Sequence, residues 1–170
     1  MERIIRQNDE IADKIEAQML NTDLAIDLPL VHKFTDGMYI RQIFMPAGSL
    51  VTSRIHMTEH PYTVSAGTAM VSIDCSSWEQ ISAPHTGITR PGTRRILYII
   101  EDCIWTTYHR IDGMKSDYND LPKEEIEKIV LGIEDKILEN RINLITGTDA
   151  HQDYLNILEN KKIEQPCLTS

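Results

Sequence analysis

His56 and His60 stand four residues apart in "GSLVTSRIHMTEHPYTVSAG", Gly48 to Gly67, a segment whose Val, Thr and Ile favour strands over helix. On a strand, residues two apart share a face, so Arg54 and His56 point the same way. The bend "MTEHP" then allows the chain to return His60 opposite His56. Alternation along "CIWTTYHRI" places His109 on one face with Cys103, Trp105 and Thr107, which offers a third ring nitrogen. Three imidazoles suit a divalent transition metal, and Zn, Fe, Mn, Ni and Cu all accept this donor set.

Arg54 and Arg95 point to different chemistry. Two guanidinium groups directed into a small β-barrel need acidic partners or a bound anion, because an unpaired buried charge costs several kcal/mol. Two readings stay open: a small carboxylate or phosphate held bidentately, or pairing with Glu59, Glu101 or Asp102 at the barrel mouth. Glu59, beside His60, is also a candidate proton acceptor and a ligand-binding residue. His32 and His85 are expected beside turns, at the surface or behind the site, and His151 in the first turn of a last helix. No residue is assigned as catalytic. The chain contains no GxGxxG, Walker loop, GxSxG elbow or HExxH, so nothing supports nucleotide binding or nucleophilic catalysis by Ser or Cys.

The elements that must position these residues follow from the apolar pattern. At 170 residues the chain fits one domain with appendages. Ile4, Ile11, Ile15 and Met19 recur at helical intervals, which predicts an amphipathic helix within residues 1–27. Residues 28–112 carry short runs, "MYIRQIFM", "TAMVSID", "RRILYII" and "CIWTTYHRI", separated by Pro, Gly, Asp and Ser, the mark of a compact antiparallel β domain. Residues 113–170 read as a helical extension. Its first helix starts at "DLPKEE", with Asp120 as cap and Pro122 in the first turn, and carries the stripe Ile126, Ile129, Val130, Ile133 and Ile137. A second, shorter helix is expected from Thr148 or Asp149, with Tyr154, Leu155 and Leu158 inward.

The central block resembles the cupin superfamily. The first cupin motif has a glycine, two histidines one residue apart, a glutamate four residues on, and a second glycine after six intervening residues. Setting Gly67 on that last glycine puts His56 on the second family histidine, Arg54 on the first, and His60 on the glutamate. "TRPGTRRILY" resembles the second motif, P-x-G-x-x-H, with Gly92 on the glycine, Arg90 in place of the proline and Arg95 in place of the last histidine. An arginine does not ligate a metal as a neutral donor, so the family's ligand set is not carried over at Arg54 and Arg95. From about His32 to His109, half of the chain, the sequence is most similar to small, uncharacterised cupin-like proteins encoded by tailed phages. The resemblance implies a mostly β fold, a cupin-type jelly-roll β-barrel flanked by an N-terminal helix and a C-terminal helical pair. Cupins include isomerases, dioxygenases, sugar-binding modules and metal-free structural proteins, and fold alone does not choose among them.

Composition narrows the partners. A net charge of -9 and the lack of a basic block argue against nucleic acid. No secretory leader pattern and no apolar run approaching about 20 residues is present, so a cytoplasmic protein without membrane contact is expected, in the host cytoplasm if phage-encoded, with a virion as the other location. Cys75, Cys103 and Cys167 show neither a disulfide framework nor CxxC spacing. The apolar helical stripes and open sheet edges predict a homo-oligomer. Two functions are expected to compete: binding of a transition metal, a small anion or both inside the barrel, or a metal-free structural or assembly role, virion-associated in the phage case.

Overall fold

A computed structural model describes residues 2–21, 28–74 and 76–139. Cys75, Cys167, His151 and the expected second C-terminal helix lie outside them. Among the described residues, two α-helices, α1 (Glu2–Leu20) and α2 (Lys123–Ile137), flank nine strands. The strands are β1 (Leu30–Thr35), β2 (Met38–Met45), β3 (Leu50–Thr52), β4 (Ile55–His56), β5 (His60–Ser72), β6 (Glu79–Ser82), β7 (His85–Thr89), β8 (Ile96–Arg110) and β9 (Leu138–Glu139). All pairings are antiparallel. One sheet runs β1-β2-β8-β5-β6, with β3 added to β8 and β7 to β5, and β4 pairs separately with β9.

The long strands β5 and β8 serve both halves of this sheet. The C-terminal part of β8 pairs with β2 and its N-terminal part with β3, while β5 pairs first with β7 and then with β6. Between Val64 and Ala69 the β5–β8 register shifts. Before the shift Tyr62 and Val64 enter the core; after it Ala69 and Val71 do, so the inward parity changes. Gly67 sits at this point with φ +80°, and a Cβ there would lie 2.1 Å from the Asp102 carbonyl oxygen. Tyr62, Val64, Ala69, Val71, Leu97, Ile99 and Trp105 then form one core cluster, so the two halves fold face to face.

Three expectations are corrected here. "RRILYII" and "CIWTTYHRI" belong to one strand, β8, because Glu101 and Asp102 are absorbed at the bend: Thr68 Oγ1 donates to Glu101 at 2.6 Å and the Ala47 N–H to Asp102 at 2.9 Å. The closed barrel is an open, folded sheet among the described residues, since no pairing joins its outer strands. The β1 edge is instead capped by Asn119, whose Nδ2 donates to the Phe34 carbonyl at 2.7 Å and whose Oδ1 accepts from the Phe34 N–H at 3.0 Å. Finally, the carbonyl of Pro122 accepts the first helical bonds of α2, from the N–H of Glu125 and Ile126, so Pro122 rather than Asp120 borders that helix.

Both helices seat their apolar stripes as the 3.6-residue spacing requires. Ala12 and Ile15 of α1 pack on Ile96, with Ile11, Met19, Leu50 and Trp78 around them. Val130, Ile133 and Ile137 of α2 close over Phe34 and Tyr39, with Ile126 and Ile129 alongside. Arg94, buried, ties α1 to the sheet through Asp13 at 2.5 Å and Glu16 at 2.9 Å.

Candidate metal centre

His56 ends the two-residue strand β4, which has little pairing of its own and is held from two sides. The His56 N–H donates to the Thr93 carbonyl and the Gly92 N–H to the His56 carbonyl, at 3.2 and 2.7 Å. Opposite, Ile55 and His56 pair with Glu139 and Leu138, and the Met57 N–H donates to the Ile137 carbonyl at 2.7 Å. The bend 57–59 then delivers His60 as the first residue of β5. The β5–β8 register pairs Tyr62 with Thr107, so His60 and His109 are the next two inward residues on neighbouring strands.

The three rings converge. His60 lies between the others, with ring centroids 4.4 Å from His56 and 4.2 Å from His109, and His56 and His109 are 6.1 Å apart. One nitrogen from each lies within 4.8 Å of the other two. His60 and His109 are each 1% exposed. His56 Nδ1, His60 Nε2 and His109 Nδ1 are buried and have no hydrogen-bond partner. Orphaned buried nitrogens are costly unless something binds them. Three of them in one cluster fit a metal ion, and this cluster could hold one.

Hydrogen bonds set which nitrogen carries the proton. His60 Nδ1 is 2.9 Å from the Thr58 carbonyl, which only accepts, so Nδ1 is the N–H and Nε2 keeps its lone pair. Thr107 Oγ1 donates to the Arg41 carbonyl at 3.4 Å and so accepts from His109 Nε2 at 3.0 Å, which leaves the His109 Nδ1 lone pair free. Burial is the largest cause that lowers all three basicities, pushing His56 down to about 2 and His109 to about 3, with the neighbouring histidines and Arg41 adding to it. The rings are neutral near pH 7, the form that ligates metal.

Beside the cluster lies a cavity of ≈ 220 Å³, lined by Ile43, Met45, Val51, Leu97 and Trp105 with His56, His109 and Arg95. Arg95 is 9% exposed; its Nη2 donates to Thr89 Oγ1 at 3.1 Å and its guanidinium lies 5.1 Å from the Tyr62 ring centroid and 5.9 Å from that of Trp105. Among the described residues it forms no ion pair, so the sequence-based partners Glu101 and Asp102 do not neutralise it. Gly87 keeps Tyr62 in place, because a Cβ there would lie 2.6 Å from its ring.

Arg54 behaves otherwise than expected. It borders the cavity but is exposed, and its Nη1 pairs with Glu134 of α2 at 2.6 Å; Arg41 takes the other oxygen of the same carboxylate at 2.5 Å. Glu59 is exposed in the bend, which turns the His60 side chain inward and leaves its neighbour in solvent. His32 lies within β1, not beside a turn, and its Nδ1 is 2.7 Å from the Tyr39 hydroxyl; the Tyr39 ring in turn stacks on His109 at 5.9 Å. His85 opens β7 and hydrogen-bonds the Tyr62 hydroxyl at 3.2 Å.

Sequence reasoning missed Arg41 and Glu134. Alternation along β2 from Tyr39 through Arg41, Ile43 and Met45 carries the signal for the first. Nothing local marks the second, because its partners lie 93 and 80 residues away.

The strand pairing and the histidine cluster define a mostly antiparallel β protein in which three buried histidines could hold a metal ion. No family model and no curated protein matches the sequence. Solved structures similar to the chain include cupin and double-stranded β-helix proteins. A DMSP lyase from Ruegeria pomeroyi is 15% identical over 54% of this chain and 51% of its own, with a TM-score of 0.46. An RmlC-like cupin from Methanocaldococcus jannaschii is 9% identical over 48% and 80%, with a TM-score of 0.41. A double-stranded β-helix protein from Klebsiella pneumoniae is 15% identical over 53% and 77%, with a TM-score of 0.43. The chain thus spans about half the length of the DMSP lyase it resembles.

Proposed function

We propose that this chain holds one divalent transition metal, Zn, Fe, Mn, Ni or Cu, on His56, His60 and His109, and takes a small anionic molecule in the adjoining cavity with Arg95 as counter-charge. The observation that carries the reading is the set of three buried, unpartnered ring nitrogens. A bound metal would supply Lewis-acid polarisation of its ligand or oxygen chemistry. The chain's own contribution is to hold the rings neutral and oriented, through the Thr58 carbonyl and the Thr107 hydroxyl. Arg95 offers an anion a buried, positive anchor. Arg54 acts through Glu134, which holds it at the cavity mouth.

Protein purified without a polyhistidine tag from metal-supplemented medium is expected to retain close to one transition metal per chain after dialysis, by elemental analysis. His56→Ala and His60→Ala each lower the affinity at least about tenfold, since an incomplete shell remains. A metal content indistinguishable from zero rejects this reading and leaves the second one, a metal-free structural or assembly protein, virion-associated if the resemblance to phage-encoded proteins extends to role. Arg54 and Arg95 at two cupin ligand positions favour that alternative. No helix among the described residues is long and apolar enough to cross a membrane. The reading also takes the chain as a cytoplasmic homo-oligomer, with Leu30, Val31 and Phe44 exposed on β1 and β2, and its mass in solution decides that part.

A further inference from the structure

The cavity's dimensions and chemistry narrow the class of anion, and the inference rests on the small-anion part of the reading above. Arg95 is a buried guanidinium with hydrogen-bond and ring partners but no carboxylate among the described residues. Tyr62 and Trp105, stacked on each other with ring centroids 4.6 Å apart, lie on one side of it, and Thr89 takes one terminal nitrogen. A planar, singly charged, two-oxygen group matches the edge that remains. The volume of ≈ 220 Å³ corresponds to about seven waters at roughly 30 Å³ each, hence to a molecule of about seven non-hydrogen atoms. The inward residues climb from the His60 and His109 layer to Tyr62 and Thr107, then to Val64 and Trp105. Each layer rises about 7 Å, so an anion on Arg95 lies one to two layers from the histidines. Between these ends the walls include Ile43, Met45, Val51 and Leu97, while Arg41 and Arg54, both paired with Glu134, line the mouth. Apolar walls disfavour a phosphate or a second charge in the middle of the ligand, which would be desolvated without partners.

We infer that the site takes a short, unbranched monocarboxylate of about four or five carbons, its carboxylate on Arg95 and its other end toward the three histidines.

The test uses butanoate on the full chain stripped of metal by chelation, so that it is independent of metal loading. Isothermal titration calorimetry is expected to give saturable binding of one butanoate per chain, with a matching change in Trp105 emission in a Trp78→Phe background. Butanamide, the same shape without the charge, is expected to bind roughly ten- to a hundredfold more weakly, the usual worth of a charge-assisted hydrogen bond. Inorganic phosphate is expected to bind more weakly than butanoate, and Arg95→Gln to lose butanoate binding while keeping the wild-type circular dichroism spectrum. If Arg95→Gln does not fold, the butanoate and butanamide comparison on wild type still decides. Equal binding of the two, tighter binding of phosphate, or no binding of butanoate overturns the inference. Metal retention without butanoate binding leaves the metal reading standing and removes this one; butanoate binding by a chain that holds no metal does the reverse.

Discussion

Thr107 shows how much one hydroxyl can decide. It faces the cavity between Trp105 and His109, gives its proton to the Arg41 carbonyl and accepts that of His109 Nε2. Replacing it with valine keeps the shape, removes the acceptor and lets either tautomer of His109 form. Thr107→Val is therefore expected to weaken metal binding by about ten- to a hundredfold while shifting the metal-free melting midpoint little. Competition against a chromophoric chelator measures the first and circular dichroism the second; unchanged affinity would mean that packing alone orients the ring. The histidines themselves were legible, because strand alternation and the four-residue spacing are local properties. Of the two arginines, Arg95 enters the cavity as expected, whereas Arg54 is drawn out by Glu134, a carboxylate with no sequence relation to it.

Among the elements, β5 and β8 carry the site because each crosses from one half of the sheet to the other. Their shared bend needs a residue that accepts φ +80° and brings no Cβ against the Asp102 carbonyl. Gly67→Ala is expected to destabilise the fold by at least about 2 kcal/mol, since backbone, not a flexible side chain, must yield. Gly48→Ala has a similar φ of +81° but open space around it, and is expected to cost about 1 kcal/mol. Denaturant midpoints for the pair separate the clash from the backbone preference; equal losses would show that the close approach is relieved at no cost. Helix α2 contributes in another way. Through β9 and the Ile137 carbonyl it grips the strand of His56, and through Glu134 it pins Arg41 and Arg54 at the cavity mouth. Its apolar stripe was readable from the helical period, but the spacing of Ile126 to Ile137 says only that something is covered, not which ligand strand depends on it.

For the whole molecule, three neutral histidines in one buried cluster make stability depend on pH. The folded chain holds His56 near 2 and His109 near 3, chiefly by burial, whereas both titrate near 6.5 when unfolded. Between those values the unfolded state binds protons that the folded state refuses. Stability is thus fully present above pH 7 and falls as pH drops through 6.5 toward 3. At pH 5 the loss is about 2 kcal/mol for each of these two histidines, from 1.36 kcal/mol per unit. Urea unfolding of metal-free protein at pH 7.5 and 5.0 is expected to record a fall of about 4 kcal/mol, reduced in His56→Phe; a flat profile would mean that the rings are solvated.

What the sequence by itself determined was the local periodicity: strands in the centre, amphipathic helices at either side, the glycines at the sharp bends, and the histidines placed on inward faces. These follow from steric and solvation preferences that act within a few residues. Only the tertiary structure decided that β8 runs unbroken through Glu101 and Asp102, that the sheet folds without closing among the described residues, that Arg95 is buried without an acid while Glu134 claims Arg41 and Arg54, and that β9 holds His56. Each of those outcomes is a competition between groups from distant parts of the chain for the same hydrogen bond, charge or volume. Such a competition is resolved by three-dimensional proximity, which no local pattern of residues records.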